Sequence, residues 1–417
     1  MLEILNKYLC GIILPVVIIA AGIYFAFRLK LFYILHPFKL FKSMCKGGFK
    51  SLSLALAGTL GVGNIVGVAS ALIYGGAGAI FWMWISAFIA MSLKYCEVYL
   101  AMAYRQKSAN NEFYGGAPYY IYGGLKSKTN LAKSLSIFFA FLCIINSLTT
   151  GNLVQINAVS NITALPKIYV GLLFVIMIIF VIIGGVNRIS AFTSVLMPIL
   201  SVFYIALCIY IIFTNIREIP SIFRLIISEA FSIKCAASGF MGYGIASSIR
   251  FGVSRGLLSN EAGCGTSPTA HASSRTNDIH SQGCLGIFEV FVDTILLCTL
   301  TSFVILIYGK IQKNPMELVT NAFSFFTYSI GKYGIIISSL LFALATIACQ
   351  YYYGAESLRY ITNKPKVKLA YSIVFCLTTL FGAIIPMWLM WEISDLALCI
   401  MTLCNIFCLF ALRREIQ

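Results

Sequence analysis

Gly58-Thr59-Leu60-Gly61-Val62-Gly63-Asn64-Ile65-Val66-Gly67 lies in an apolar run long enough to cross a bilayer, yet it holds four glycines and the polar Thr59 and Asn64. Each glycine costs a helix interior about 1 kcal/mol relative to alanine, so a continuous helix is not expected here. In hydrocarbon, an unwound backbone is tolerated only where protein packs it or a wet cavity receives it. The stretch is therefore expected to break and to offer N–H and C=O groups to a ligand or ion. Two other readings of these glycines are open to test against the sequence. Gly63 and Gly67 form a GxxxG pair that suits close helix packing. A dinucleotide fingerprint fails, because no strand precedes the glycines and no βαβ unit surrounds them.

The rest of the chain agrees with a membrane setting. Of 417 residues, 60% are hydrophobic and 11% charged, with a mean hydropathy of +0.91. Soluble domains carry about 25% charged residues, so the class is an all-α polytopic membrane protein. The net charge of +16 comes from basic residues in short loops between apolar runs. That placement fits membrane orientation and speaks against a nucleic-acid partner. The 14 cysteines fall mostly inside apolar runs and read as small buried hydrophobes, with no CxxC or Cys/His spacing for a metal or a disulfide framework. Three histidines, no HExxH and no GxSxG leave no constellation for an enzyme.

Leu9–Phe27 is apolar for 19 residues and is followed by Arg28 and Lys30, whereas a signal peptide has a shorter core with its positive charge in front, so it reads as a retained span. Further spans are expected at about 51–75, 79–103, 134–160, 168–186, 190–214, 235–254, 282–309, 333–357, 367–386 and 388–411, eleven in all. With the N-terminus outside and the C-terminus cytoplasmic, most of the 30 basic residues fall on the cytoplasmic side. Arg28–Lys50, Arg105, Arg250, Arg255, Arg275 and Arg359–Lys368 are among them. Residues 1–50 then hold one helix and a basic loop. Residues 51–214 and 235–413 form two five-helix repeats. Five is odd, so the repeats insert with opposite topology, and each is expected to open on a broken helix. In the second half that expectation falls on Gly239-Phe240-Met241-Gly242-Tyr243-Gly244.

Polar residues inside spans mark a pathway or bind across helices. Asn146, Thr149, Thr150, Asn152, Gln155 and Asn157 crowd the fourth span, and Asn152 and Gln155 are three apart, on one expected face. Thr346 and Gln350 are a helical turn apart and able to face one cavity. Glu97 has Lys94 at i−3 as a partner, whereas Glu289 and Asp293 at i, i+4 would repel unless a proton or cation is shared. Asp293 is thus open to a proton or cation role. Arg255-Gly256-Leu257-Leu258-Ser259-Asn260-Glu261-Ala262-Gly263-Cys264-Gly265 reads as a cytoplasmic-edge connector or an inner gate, with His271 and His280 as loop histidines.

At these residues the chain resembles the alanine/glycine:cation symporter family, a branch of the leucine-transporter-type fold. The resemblance runs through Gly58–Gly67, Gly115-Gly116-Ala117-Pro118-Tyr119-Tyr120, Gly151-Asn152-Leu153-Val154-Gln155 and Arg255–Gly263. It implies a monomer in the cytoplasmic membrane of a bacterium, with no organic cofactor and sodium as the coupling ion, that takes up a small neutral amino acid. Carried over, Gly61 and Gly63 bind the substrate carboxylate through backbone N–H groups. Gln155 and Thr346 line the pocket beside Thr59, Asn152 and Gln350, and sodium sits near Thr59, Asn64 and Thr346. One departure stands out. Gln350 occupies the place of the family's tryptophan, so a larger polar substrate such as glutamine joins alanine and glycine. The competing expectation is a proton-coupled amino-acid transporter that uses membrane acids such as Asp293.

Overall fold

Within a bilayer every backbone N–H and C=O needs a partner, and a helix provides those partners within one segment. The apolar runs accordingly fold as helices in the computed structural model, which describes residues 5–416 apart from 7, 109–110, 126–128, 164, 233–243 and 311. In chain order these are α1 (Leu9–Arg28), α2 (Pro37–Met44), α3 (Phe49–Thr59), α4 (Val66–Gly75), α5 (Gly78–Ala103), α6 (Ala117–Gly124), α7 (Asn130–Ile162) and α8 (Lys167–Ile182). Then follow α9 (Gly185–Thr214), α10 (Ile219–Ala230), α11 (Ile245–Asn260), α12 (Pro268–Ala272), α13 (Ile279–Tyr308), α14 (Pro315–Ile361), α15 (Pro365–Gly382) and α16 (Met387–Ala411).

Among the described residues, α1, α5, α7, α9, α13, α14 and α16 are long and apolar enough to cross a membrane, and α3 with α4 counts as an eighth span. Shorter helices, α8, α11 and α15, stand where the other expected spans were placed. Large apolar side chains such as Phe27, Phe180, Ile183 and Phe213 point outward, as a lipid-facing surface requires.

The glycine stretch breaks as expected. After α3 the chain turns at Leu60 (ψ 82°), passes through the single tight turn Val62–Asn64, and resumes as α4 at 60° to α3. The break expected at Gly239–Gly244 lies outside the described residues up to Tyr243, and α11 begins directly after Gly244. A further unwound stretch, a second break not expected there, lies between α11 and α12, where Glu261, Gly263 and Gly265 have φ of 49°, 89° and 80°. Residues 252–272 are buried throughout, so the Arg255–Gly265 stretch is interior and not a cytoplasmic-edge connector. Left-handed backbone suits the two glycines, while Glu261 pays a steric penalty there that its hydrogen bonds offset.

Three other features differ from the expectation. A small antiparallel pair, β1 (Gln106–Lys107) with β2 (Phe113–Tyr114), follows α5 in an otherwise helical chain. Helix α14 starts well before residue 333 and is kinked at Thr327–Tyr328, where Tyr328 has φ 50°. Arg250 and Arg255 share a cavity with Asn6, Lys313 and Trp388, near the starts of α1, α14 and α16. They therefore sit at the N-terminal end of the bundle, opposite Arg105 and Asn277, which are hydrogen-bonded beyond the end of α5. Hydropathy alone misplaced them because α11 begins later than the apolar run.

At that opposite end Asp278 caps α13, accepting from Ser281 N–H at 2.9 Å and from its hydroxyl at 2.6 Å. Those donors hold its carboxyl below the usual carboxylate range. Asp278→Ala is expected to lower stability by about 1 kcal/mol at neutral pH. A depressed carboxyl contributes fully above the unfolded value near 4 and loses its contribution as pH falls through the folded value. The gap between wild type and variant should therefore close in acid. Equal melting temperatures at pH 7 would refute the cap.

Candidate functional site

The break between α3 and α4 leaves backbone groups that side chains from α7 and α14 reach. The Val62 N–H donates to Gln155 Oε1 at 3.0 Å, and Thr346 Oγ1 donates to the Leu60 carbonyl at 3.2 Å. The Gly61 N–H donates to Asn64 Oδ1 at 3.2 Å, and Gln350 Nε2 donates to the Gly58 carbonyl at 3.3 Å. A larger residue at position 61 would have to displace its neighbours. A Cβ there would lie 2.6 Å from Gln155 Oε1 and 2.8 Å from Thr346 Oγ1. The structure thus brings Gly61, Gln155, Thr346, Gln350 and Asn64 together. A Cβ at Gly63 would stand 3.3 Å from the Ser259 Cα, so that glycine also serves close packing.

Two of the expected site residues turn elsewhere. Asn152 donates to the Phe375 carbonyl (2.9 Å) and Thr378 Oγ1 (3.0 Å) of α15, and accepts from Thr379. It does not share the face of Gln155, because Thr149–Leu153 is a π-turn whose wider winding shifts the register within α7. The Thr59 hydroxyl donates back to the Ala55 carbonyl of its own helix at 3.3 Å.

The second break packs beside the first. Asn64 Nδ2 donates to Ser259 Oγ at 2.9 Å and to Asp293 Oδ1 at 2.8 Å. Ser259 and Thr294 donate to Asp293 Oδ2 at 2.7 and 2.8 Å. Asp293 is fully buried, and its partners there are neutral donors. Glu261 accepts from Gln350 Nε2 at 2.8 Å and from Thr266. One amide, Gln350, therefore ties both breaks. Ser259 and Glu261 were missed as site residues; the signal was a polar, glycine-rich run that burial, not hydropathy, explains.

Buried charge lies just beneath. Lys94 Nζ donates to Ser267 Oγ at 2.7 Å and pairs with Glu289 at 3.3 Å. The expected Lys94–Glu97 pair is absent among the described ion pairs; Glu97 accepts from Asn405, which also donates to the Gly263 carbonyl at 2.9 Å. His271 is no loop residue. It is buried, 3.0 Å from Glu289, and within 2.7 Å of Gln282. Glu289 and Asp293 thus have separate partners, and a π-turn at Phe291–Cys298 separates their faces. His280 contacts the Tyr95 hydroxyl at 2.7 Å.

At the N-terminal end a 510 Å³ cavity includes Arg250, Arg255, Trp388, Trp391 and Asp395 in its lining. Arg255 pairs with both carboxylate oxygens of Asp395, at 2.9 and 3.1 Å, and its guanidinium stacks 4.3 Å from the Trp391 ring centroid.

Comparison with known proteins follows the same lines. Residues 1–417 match the sodium:alanine symporter family. An uncharacterised transporter of Bacillus subtilis, YflA, is 33% identical over 437 residues, covering 100% of this chain and 91% of that protein. A sodium/alanine symporter of Methanococcus maripaludis, AgcS, is 33% identical over 411 residues, covering 94% and 89%. A probable sodium/glutamine symporter of B. subtilis, GlnT, is 30% identical over 430 residues, covering 99% and 88%. A buried pair of helix breaks, polar groups that converge on them and a full-length match agree: this chain is a membrane transporter, not an enzyme, and belongs to the sodium:alanine symporter family.

Proposed function

We propose that the protein couples uptake of a small neutral amino acid to sodium by alternating access. One observation supports this most directly. The Val62 N–H, freed by the break, meets a side-chain carbonyl oxygen, Gln155 Oε1, at 3.0 Å in the buried centre. A substrate carboxylate offers the same acceptor with a full charge, which strengthens such a bond. Sodium prefers hard oxygen ligands, and the Leu60 carbonyl with the Thr346 hydroxyl supplies two of them beside it. Asn64 supports the turn through Gly61 N–H, and Thr59 closes α3.

The architecture we infer is of leucine-transporter type, with eleven spans: α1, then two inverted repeats over 51–214 and 235–413, each opening on a broken helix. The breaks would be Leu60–Gly61 and Glu261–Ser267, and rocking of the repeats would expose the site to each side in turn. In the cytoplasmic membrane, with the N-terminus outside, the Arg255–Asp395 pair would close the outer vestibule above the site. We take the monomer as the working unit. Alanine and glycine fit the family, and a probable sodium/glutamine symporter among the relatives, with Gln350 here, adds glutamine.

The competing reading, proton coupling, draws on Asp293, a buried carboxylate held by neutral donors alone. Uptake of a labelled amino-acid panel into proteoliposomes separates the two. Sodium-driven accumulation is expected, abolished when the sodium gradient is removed. Accumulation that persists without sodium and follows an imposed pH gradient would overturn sodium coupling. Asp293→Asn is expected to weaken the sodium dependence at least about tenfold if that carboxylate helps hold the cation, since one unit charge in a buried site outweighs a neutral oxygen. An unchanged sodium activation curve would exclude Asp293 from the cation site.

A further inference from the structure

We propose that Gln350 is the specificity residue and that it selects a substrate with a side-chain carboxamide, by accepting a hydrogen bond from that group's N–H. The inference rests on the symport reading and deepens it. Gln350 faces two acceptors, the Gly58 carbonyl at 3.3 Å and Glu261 Oε1 at 2.8 Å. Only the amino end of an amide can satisfy both, so the orientation of Gln350 is fixed by its neighbours. The carbonyl end then points away from them. Gln350 is 1% exposed, and its Oε1 has no hydrogen-bond partner among the described residues. Buried acceptors are normally paired, so this one is waiting for a donor.

Its position suits a substrate side chain. Gln350 stands one helical turn after Thr346, which contacts the broken backbone at Leu60. Across from it, Gly151 packs directly against the Gln350 side chain, since a Cβ there would lie 2.5 Å from the Gln350 Cβ, and this contact helps hold Gln350 in place. One turn further along α14, the Tyr353 hydroxyl is buried 2.6 Å from where a Cβ at Gly58 would stand, so it flanks the same backbone that Gln350 holds. The neutral, unpaired acceptor of Gln350 complements the N–H of a carboxamide. A carboxylate would present no donor to Gln350, and a thioether or methyl group would leave that acceptor unpaired. Glu261 acts through Gln350 and is a positioning residue: it keeps the amino end turned inward.

The test is competition against sodium-driven uptake of labelled L-alanine and L-glutamine in proteoliposomes, with unlabelled glutamine, asparagine, methionine, glutamate and lysine. Glutamine is expected to compete at least about tenfold better than methionine, which has similar length and no donor, because a site built to pair a donor rejects its isostere strongly. In Gln350→Met the glutamine-to-methionine ratio should fall toward one. Glu261→Gln frees the residue-350 amide to invert, and the same ratio should fall, a change that general loosening of the fold would not produce. Equal competition by glutamine and methionine in the wild type overturns the inference alone, as does a preference for lysine or glutamate. The wild-type arm decides even where a variant fails to insert. If no amino acid is taken up with sodium, the symport reading fails and this inference falls with it.

Discussion

Replacing Gly61 by leucine is expected to reduce sodium-driven uptake to background while the protein still inserts in the membrane. A Cβ alone at this position would press to 2.6 Å from Gln155 Oε1 and 2.8 Å from Thr346 Oγ1, and the remaining leucine atoms need space those groups occupy. Overpacking of this kind costs about 1–3 kcal/mol. Its more damaging effect is local: moving Gln155 and Thr346 uncovers the Val62 N–H and the Leu60 carbonyl together. Gly61→Ala should show the graded form, a loss of about tenfold or more. Detergent gel filtration separates misfolding from a lost site, and uptake at the wild-type rate by a monodisperse Gly61→Leu protein would remove the break from the transport path.

The second large effect concerns stability. Lys94 and Glu289 are an ion pair with both side chains fully buried, and the ammonium also donates to Ser267 beside the second break. Removing one member of a buried pair strands the other charge and costs about 3–5 kcal/mol. Lys94→Met is therefore expected to lower the melting temperature sharply, and Glu289→Gln in the same chain should restore part of it. Residual cost in the double variant would reflect Ser267 and His271, whose bonds to the pair are then lost. A single Lys94→Met change worth less than about 1 kcal/mol would show that Glu289 is neutralised by other means.

The first break could be read from the chain because its signal is local: glycines within an apolar run defeat a helix wherever they stand. The second break has a similar composition, but Ser259, Asn260 and Glu261 lower its hydropathy, so it looked like an aqueous connector. What buries it are distant partners, Asn64, Thr294, Gln350 and Asn405, and no window along the chain sees them. Regular spacing failed at Asn152 for a different reason. It assumes 3.6 residues per turn, and the π-turn at Thr149–Leu153 does not keep that count. Gln155 and Thr346 crowd Gly61 and Gln350 crowds Gly151, contacts that a residue-by-residue reading of the chain does not contain.

The contact between Gln155 and Val62 has a kinetic side. In the proposed binding mode the amide oxygen is a tethered rival for the N–H that a carboxylate would take, present at high local concentration on a short arm. Incoming substrate would have to displace it, so apparent affinity would fall below the intrinsic value by the fraction of time the N–H is free. The same rival would hasten departure, since it could recapture the N–H the moment a carboxylate loosens. A carrier that must let go of its cargo on every cycle gains throughput from such an arrangement and gives up tight binding in return.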